Sequence, residues 1–260
     1  MRHALISEIA AVAACASVSL CALTACGQKK LTLEKEKITN FTAPAQDEEI
    51  AVISIKDYGD VKIKLFPDES PKGVENFKTL IQSGYYDELI FHRIIPQFMI
   101  QGGDPTGTGG GGDDCWKDGG FAQTFSNNLH HFAGAVAYAV NPVDKLNGSQ
   151  FYVVTGAEAN ADYLKTIETS YGKTFSDTVT NLYNAFGGAP HLDGDYEIFG
   201  QVFSGLEYCL DIQNVQTDAN NKPAKSVVIE KAEIVKFSGG DTNYLNWKGE
   251  KTDPVVPTNK

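Results

Sequence analysis

Apolar and polar positions alternate in short runs between residues 50 and 237. Ile50 to Ile55 is apolar and β-branched, and Val61, Ile63 and Leu65 alternate with Lys62 and Lys64. A period of two marks a strand with one covered face. Asp57-Tyr58-Gly59-Asp60 lies between these runs, so they read as a hairpin with one wet face. Further strands are read over Leu89–Ile95, Phe98–Gly102, Gly134–Val140, Gln150–Val154, Glu197–Phe203 and Val227–Phe237. The period changes at Ser70-Pro71, which opens a helix with a hydroxyl cap and a proline in the first turn. Val74, Phe77, Leu80 and Ile81 form its inner stripe, and Gly84 ends it. A second short helix, Leu206–Gln213, carries Leu206, Cys209 and Leu210 on one side. About eight strands and two main helices, joined mostly by short links, fit a closed antiparallel barrel or a sandwich.

Three stretches break the pattern. Glu158–Pro190 reads as two inserted helices. Ser176 can cap one in which Val179, Leu182, Tyr183 and Phe186 recur at helical spacing, while Leu164 and Ile167 share a side of the other, stopped by Gly172. Residues 27–48 are polar and read as a tether, and residues 239–260 as a tail. Residues 1–25 read as an export signal: Arg2 starts it, Ala10 to Ala25 is apolar and small, and it ends Leu23-Thr24-Ala25-Cys26. That ending resembles the bacterial lipobox, in which Cys26 would carry the lipid. The expected divisions are a signal over 1–25, an anchor and tether over 26–48, a domain over 49–238 and a tail over 239–260.

Composition narrows the function classes. Hydrophobic content of 42% and charged content of 21% in 260 residues exclude a fibrous or wholly disordered chain. A formal net charge of −11 makes nucleic acid an unsuitable general partner. Beyond the N-terminus no apolar run approaches the roughly 20 residues of a membrane helix. Of five cysteines, Cys15 and Cys21 fall in the signal and Cys26 at its end. Cys115 and Cys209 remain, free or paired. No CxxC or HxxxH spacing suggests a metal, and His130-His131, as strand neighbours, would point to opposite faces. Nine glycines between 102 and 120 could cradle phosphate. However, no Gly-Lys-Ser/Thr follows and Asp113-Asp114 would repel it, so a flexible loop is expected. Asn147-Gly148-Ser149 matches a glycosylation pattern, empty in a bacterial lipoprotein. Ser149 lacks the G-x-S-x-G elbow of a hydrolase.

The most informative stretch is Phe91-His92-Arg93-Ile94-Ile95-Pro96-Gln97-Phe98-Met99-Ile100-Gln101-Gly102-Gly103-Asp104. Met99 and Gln101, two apart on one strand, face the same way. With Arg93 and Phe98 they would make an apolar hollow holding a fixed fork of donors. By residue type alone, Phe and Met would equally serve as core and Arg as a solvated side chain.

This stretch resembles the signature of cyclophilin-type peptidyl-prolyl isomerases. Asn147-Gly148-Ser149-Gln150-Phe151-Tyr152, and Leu192-Asp193-Gly194 with Phe199-Gly200, resemble the family's later blocks in the same order. The resemblance spans about residues 48–237 and implies a mainly β fold: a closed eight-stranded antiparallel barrel capped by two helices, here with a helical insertion. It implies catalytic roles for Arg93 and Gln101. It places a proline pocket on Phe98, Met99, Tyr152 and Leu192, a polar partner on Gln150, and further substrate contacts on Ala139, His191 and Tyr196. Val140 or Asn141 would take the role of a family asparagine. Tyr152 stands where Phe is commonest, His191 where several members have Trp, and Tyr196 where several have His. The implied substrate is a proline-containing polypeptide, with no metal or cofactor. The whole reading is a monomeric isomerase anchored through Cys26 to the outer face of a bacterial membrane, acting on exported proteins. A membrane-anchored chaperone or proline-peptide binding module with weak turnover is the alternative. The insertion, bordered by the active face at both ends, is expected to form a rim beside the groove.

Overall fold

The structure, a computed structural model, describes residues 37–141 and 143–254. The signal, Cys26 and the tether as far as residue 36 lie outside these residues. The elements in chain order are β1 (Glu49–Ile55), β2 (Gly59–Leu65), α1 (Pro71–Gln82), β3 (Arg93–Ile95), β4 (Met99–Gly102), β5 (Ala135–Tyr138) and β6 (Phe151–Val154). There follow α2 (Ala161–Tyr171), α3 (Asp177–Phe186), a 3₁₀ turn at Pro190–Leu192, β7 (Ile198–Ser204), α4 (Leu206–Ile212) and β8 (Ile229–Lys236). All eight strands form one antiparallel sheet in the order β3-β4-β6-β5-β7-β2-β1-β8.

The closed barrel expected from the sequence is corrected to a curled half-barrel. Among the described residues no regular ladder joins β3 to β8; the chain just before β3 meets the start of β8 through the isolated bridge Ile90↔Val228 and through backbone hydrogen bonds from Glu88 N to the Ile229 carbonyl, Ile229 N to the Leu89 carbonyl and Phe91 N to the Val227 carbonyl. The cause is local. The expected strand over Leu89–Ile95 keeps regular pairing only over Arg93–Ile95, and then meets Pro96, which has no N–H to donate. Closure needs a continuous register around the sheet, and so short a strand cannot supply it.

Alternation sets the inside of the curl. Ile53, Ile63, Ile94, Ile100, Val136, Val153 and Phe199 are buried in the main core. Helix α1 adds Val74, Phe77, Leu80 and Ile81, and Phe77 lies 4.7 Å from the Phe199 ring and 5.3 Å from Phe151. Ser70, expected to cap α1 through its hydroxyl, makes no such bond; it donates instead to Glu197 Oε1 at 2.7 Å. Glu197 is fully buried and also accepts from Asn147 Nδ2 and Thr124 N, so it outcompetes the helix end for the hydroxyl. Cys115 and Cys209 are free thiols, and burial pushes Cys209 up to about 12.

A second cluster lies outside the curl, and it corrects two boundaries. The insertion forms both expected helices, with Asn160 and Ser176 capping them and Gly172 in the left-handed region. Their apolar stripes pack against segments expected to be tether and tail. Ile38 is buried, Phe41 stacks on Phe186 at 4.1 Å, and Tyr244 meets Phe41 edge-on at 5.4 Å. Asn40 Nδ2 donates to Gln201 Oε1, and Trp247 N to the Phe186 carbonyl. These apolar residues are too few and too irregularly spaced to show a period, because they pair with partners far along the chain. The fold therefore begins before residue 49 and continues past residue 238.

Candidate active site

The groove forms on the sheet face opposite the main core. Backbone register aligns Arg93 of β3 with Gln101 of β4, Gln101 with Tyr152 of β6, and Tyr152 with Ala137 of β5. Their neighbours Ile94, Ile100, Val153 and Val136 point into the core, so this row must face outward. Met99, two residues before Gln101, joins it. Small Ala135, Ala137 and Ala139 leave a hollow over β5, against which Leu192, Tyr196 and Phe98 pack. The resulting groove of about 1140 Å³ is lined by Arg93, Phe98, Met99, Gln101, Ala139, Gln150, Tyr152, Leu192 and Tyr196. Met99, Tyr152 and Leu192 are at most 9% exposed, so the pocket floor is preformed.

A chain of amides orients the guanidinium. Arg93 Nη1 donates to Gln101 Oε1 at 3.2 Å. Gln101 Nε2 then donates to Gln150 Oε1 at 2.9 Å. Gln150 Nε2 ends the chain by donating to the carbonyls of Gly109 and Gly111 at 3.1 and 2.7 Å. Carbonyls only accept, so the loop fixes which way each amide faces. The sequence reading missed this role for the glycine loop. The loop is tied down by its own acids. Asp104 accepts from the backbone of Thr106, Thr108 and Gly109, and Asp114 from Trp116 and Gly120. Burial acts to raise Asp104, but those donors hold its carboxyl below the usual range.

His191 stands at the groove's edge rather than in its lining. Its ring lies 5.5 Å from Phe98 and 6.0 Å from Tyr171 of α2, and burial lowers its pKa. Tyr196 meets Tyr152 edge-on at 6.1 Å. Asn141 caps its own turn, accepting from Val143 N and donating to Asp144. His130 and His131 do not diverge as expected: they lie in irregular chain, and both reach the carboxylate of Asp193. Among the described residues no cluster of His, Cys, Asp or Glu is arranged to hold a metal ion.

Comparison with known proteins decides the family. Residues 50–234 match the family model of cyclophilin type peptidyl-prolyl cis-trans isomerase/CLD. The chain belongs to the cyclophilin-type peptidyl-prolyl cis-trans isomerases. A Staphylococcus epidermidis protein named for this activity is 39% identical over 189 residues, covering 73% of this chain and 93% of its own. A Streptococcus pyogenes protein named as a bifunctional phosphatase/peptidyl-prolyl cis-trans isomerase is 40% identical over 209 residues. The match covers 79% of this chain but only 42% of that larger protein. Among solved structures, the Cryptosporidium parvum cyclophilin type isomerase crystallised in the presence of the dipeptide Ala-Pro is 30% identical, with a TM-score of 0.56. It covers 72% of this chain and 98% of its own. The family model leaves residues 1–49 and 235–260 of this cyclophilin outside its match.

Proposed function

We propose that this cyclophilin accelerates X–Pro rotation in exported polypeptides, with Arg93 as the catalytic donor. The observation that carries the reading is the Arg93 fork, held by Gln101 beside the Phe98, Met99, Tyr152 and Leu192 hollow. An X–Pro bond must pass a barrier of about 18–20 kcal/mol, and exchanges unaided in tens to hundreds of seconds. Twisting removes amide resonance and localises a lone pair on the prolyl nitrogen. A donor aimed at that nitrogen stabilises the twisted state over the planar one. Arginine suits this, being always charged, planar and preorganised. The apolar hollow grips the ring while the preceding carbonyl swings. Four decades of rate need about 5–6 kcal/mol, within reach of one aimed charge plus anchoring of the ring. The reaction forms no covalent intermediate.

A proline peptide as substrate is supported by the Cryptosporidium relative, crystallised in the presence of Ala-Pro. Export and lipid anchoring are supported by residues 1–26 of the sequence. The test is isomerisation of a proline tetrapeptide by the wild-type protein and by Arg93→Ala. Loss on the order of 10²–10³ is expected, by comparison with deleting one transition-state donor. The fold should survive, since Arg93 lines an open groove. Full activity in a folded Arg93→Ala protein would exclude this mechanism.

A further inference from the structure

The pocket wall at Tyr152 is built differently from the rest of the groove. Its ring is 5% exposed, and its hydroxyl pairs with His131 Nε2 at 3.0 Å. The two rings lie nearly parallel, 14° apart with centroids at 6.2 Å. His131 is fully buried and has no direct access to a substrate. Its other nitrogen, Nδ1, lies 2.9 Å from Asp193 Oδ1, which also accepts from the His131 backbone N at 2.8 Å. Asp193 Oδ2 takes His130 Nδ1 and the Tyr183 hydroxyl, each at 2.8 Å. Four donors thus fill the acceptor positions of one carboxylate.

We infer that His131 is a positioning residue for isomerisation: held by Asp193, it locks the Tyr152 ring that forms one wall of the proline pocket. The inference rests on the isomerase reading of the groove. Asp193 accepts at both oxygens, with no proton of its own to donate, only while ionised, and hydrogen bonds from the two histidines keep it so against the opposing effect of burial. The proton of His131 therefore sits on Nδ1, and Nε2 turns its lone pair to the Tyr152 hydroxyl. The phenol proton is committed to His131 and away from the groove. Asp193 also follows Leu192 directly, so one carboxylate anchors two walls of the pocket. Tyr183 belongs to α3, which ties the insertion to the same carboxylate. Phenylalanine at position 152 would need none of this, which accounts for a buried histidine behind a tyrosine.

Two experiments test it. Asparagine places an amide near Nδ1 and glutamine places one near Nε2. The tetrapeptide assay is run on His131→Asn and His131→Gln, each alone and in a Tyr152→Phe background. His131→Asn should raise KM about threefold to tenfold, the range of one net hydrogen bond. Its kcat should change little, because a wall serves ground and transition states alike. His131→Gln should recover most of that loss, and neither change should matter once Tyr152 is Phe. Equal losses for Asn and Gln, or losses that persist in Tyr152→Phe, overturn the inference. If His131→Asn does not fold, ¹⁵N-histidine spectra of the wild-type protein decide. They should show His131 protonated on Nδ1, with an Nε2 signal that moves when the tetrapeptide saturates the groove. An Nε2-protonated ring, or a still signal while groove resonances move, overturns it. A tetrapeptide that moves no groove resonance refutes the isomerase reading itself.

Discussion

At the scale of single residues, the parts of the site that were legible are those that strand geometry alone controls. Arg93, Met99 and Gln101 share a face because side chains alternate, and the register across β3, β4 and β6 carries that face to Tyr152. What was hidden depends on residues far apart in sequence: the Gly109 and Gly111 carbonyls behind Gln150, and one carboxylate gathering His130 and His131. No periodicity signals such a contact. Asp193 makes a prediction about acid stability. Burial would raise its carboxyl, but the hydrogen bonds from His130 and His131 hold it below the usual range. Its pKa is thus lower folded than unfolded, and the unfolded chain takes up the proton first as pH falls. The stabilisation is complete above the ordinary carboxylate range near about pH 4, and is lost as pH drops below it toward the folded value. Asp193→Asn should lose roughly 1–3 kcal/mol at pH 7 by disturbing buried donors. Its urea midpoint should then fall less than the wild type's between about pH 5 and pH 3. Equal pH slopes for the two proteins would remove Asp193 from the acid transition.

Among the elements, helices α2 and α3 were readable because their stripes and caps are local. Ser176 and Asn160 accept the backbone N–H groups of Val179 and Tyr163, and Leu164, Ile167, Val179, Leu182, Tyr183 and Phe186 are buried. Their partners were not readable, since Phe41, Tyr244 and Trp247 sit in segments that lack any repeat. This changes what the insertion can tell us under mutation. Replacing residues 160–188 by a short linker would uncover Phe132 and Phe203 as well as both terminal segments, and should unfold the domain. Phe186→Ala, which removes a fully buried ring stacked on Phe41, should cost about 3–5 kcal/mol in urea unfolding. A loss under about 1 kcal/mol would mean that the second cluster is not cooperative with the first. The rim is better probed at Tyr171, which is 57% exposed at the end of α2 and reaches the groove's edge through His191. Tyr171→Ala should leave tetrapeptide turnover unchanged and slow a proline-limited refolding protein, whose longer chain extends past Phe98. Equal rates on both substrates before and after the change would make the insertion decoration.

For the whole molecule, the half-barrel divides its strands between two tasks. The inner faces of β3 to β6 fill the core, and the outer faces of the same residues' neighbours line the groove. The groove thus stands on a rigid support, while the acidic surface, at −11 overall, disfavours nucleic acid and leaves polypeptide as the fitting substrate. Leu23-Thr24-Ala25-Cys26 follows a small, apolar stretch, and Cys26 lies eleven positions before Lys37. Even fully extended, that link would reach at most about 40 Å. A lipid on Cys26 would therefore keep the groove close to the membrane surface, where exported chains emerge unfolded with their prolines unsorted. One acyl chain gives only marginal binding and two give stable anchoring, so a diacylated Cys26 should hold the protein in the detergent phase. Cys26→Ser, expressed from the full chain, should remain an unlipidated precursor and move to the aqueous phase, with tetrapeptide turnover unaltered. The same partition for mutant and wild type would show that the anchor reading of Cys26 is wrong, without touching the assignment of the groove.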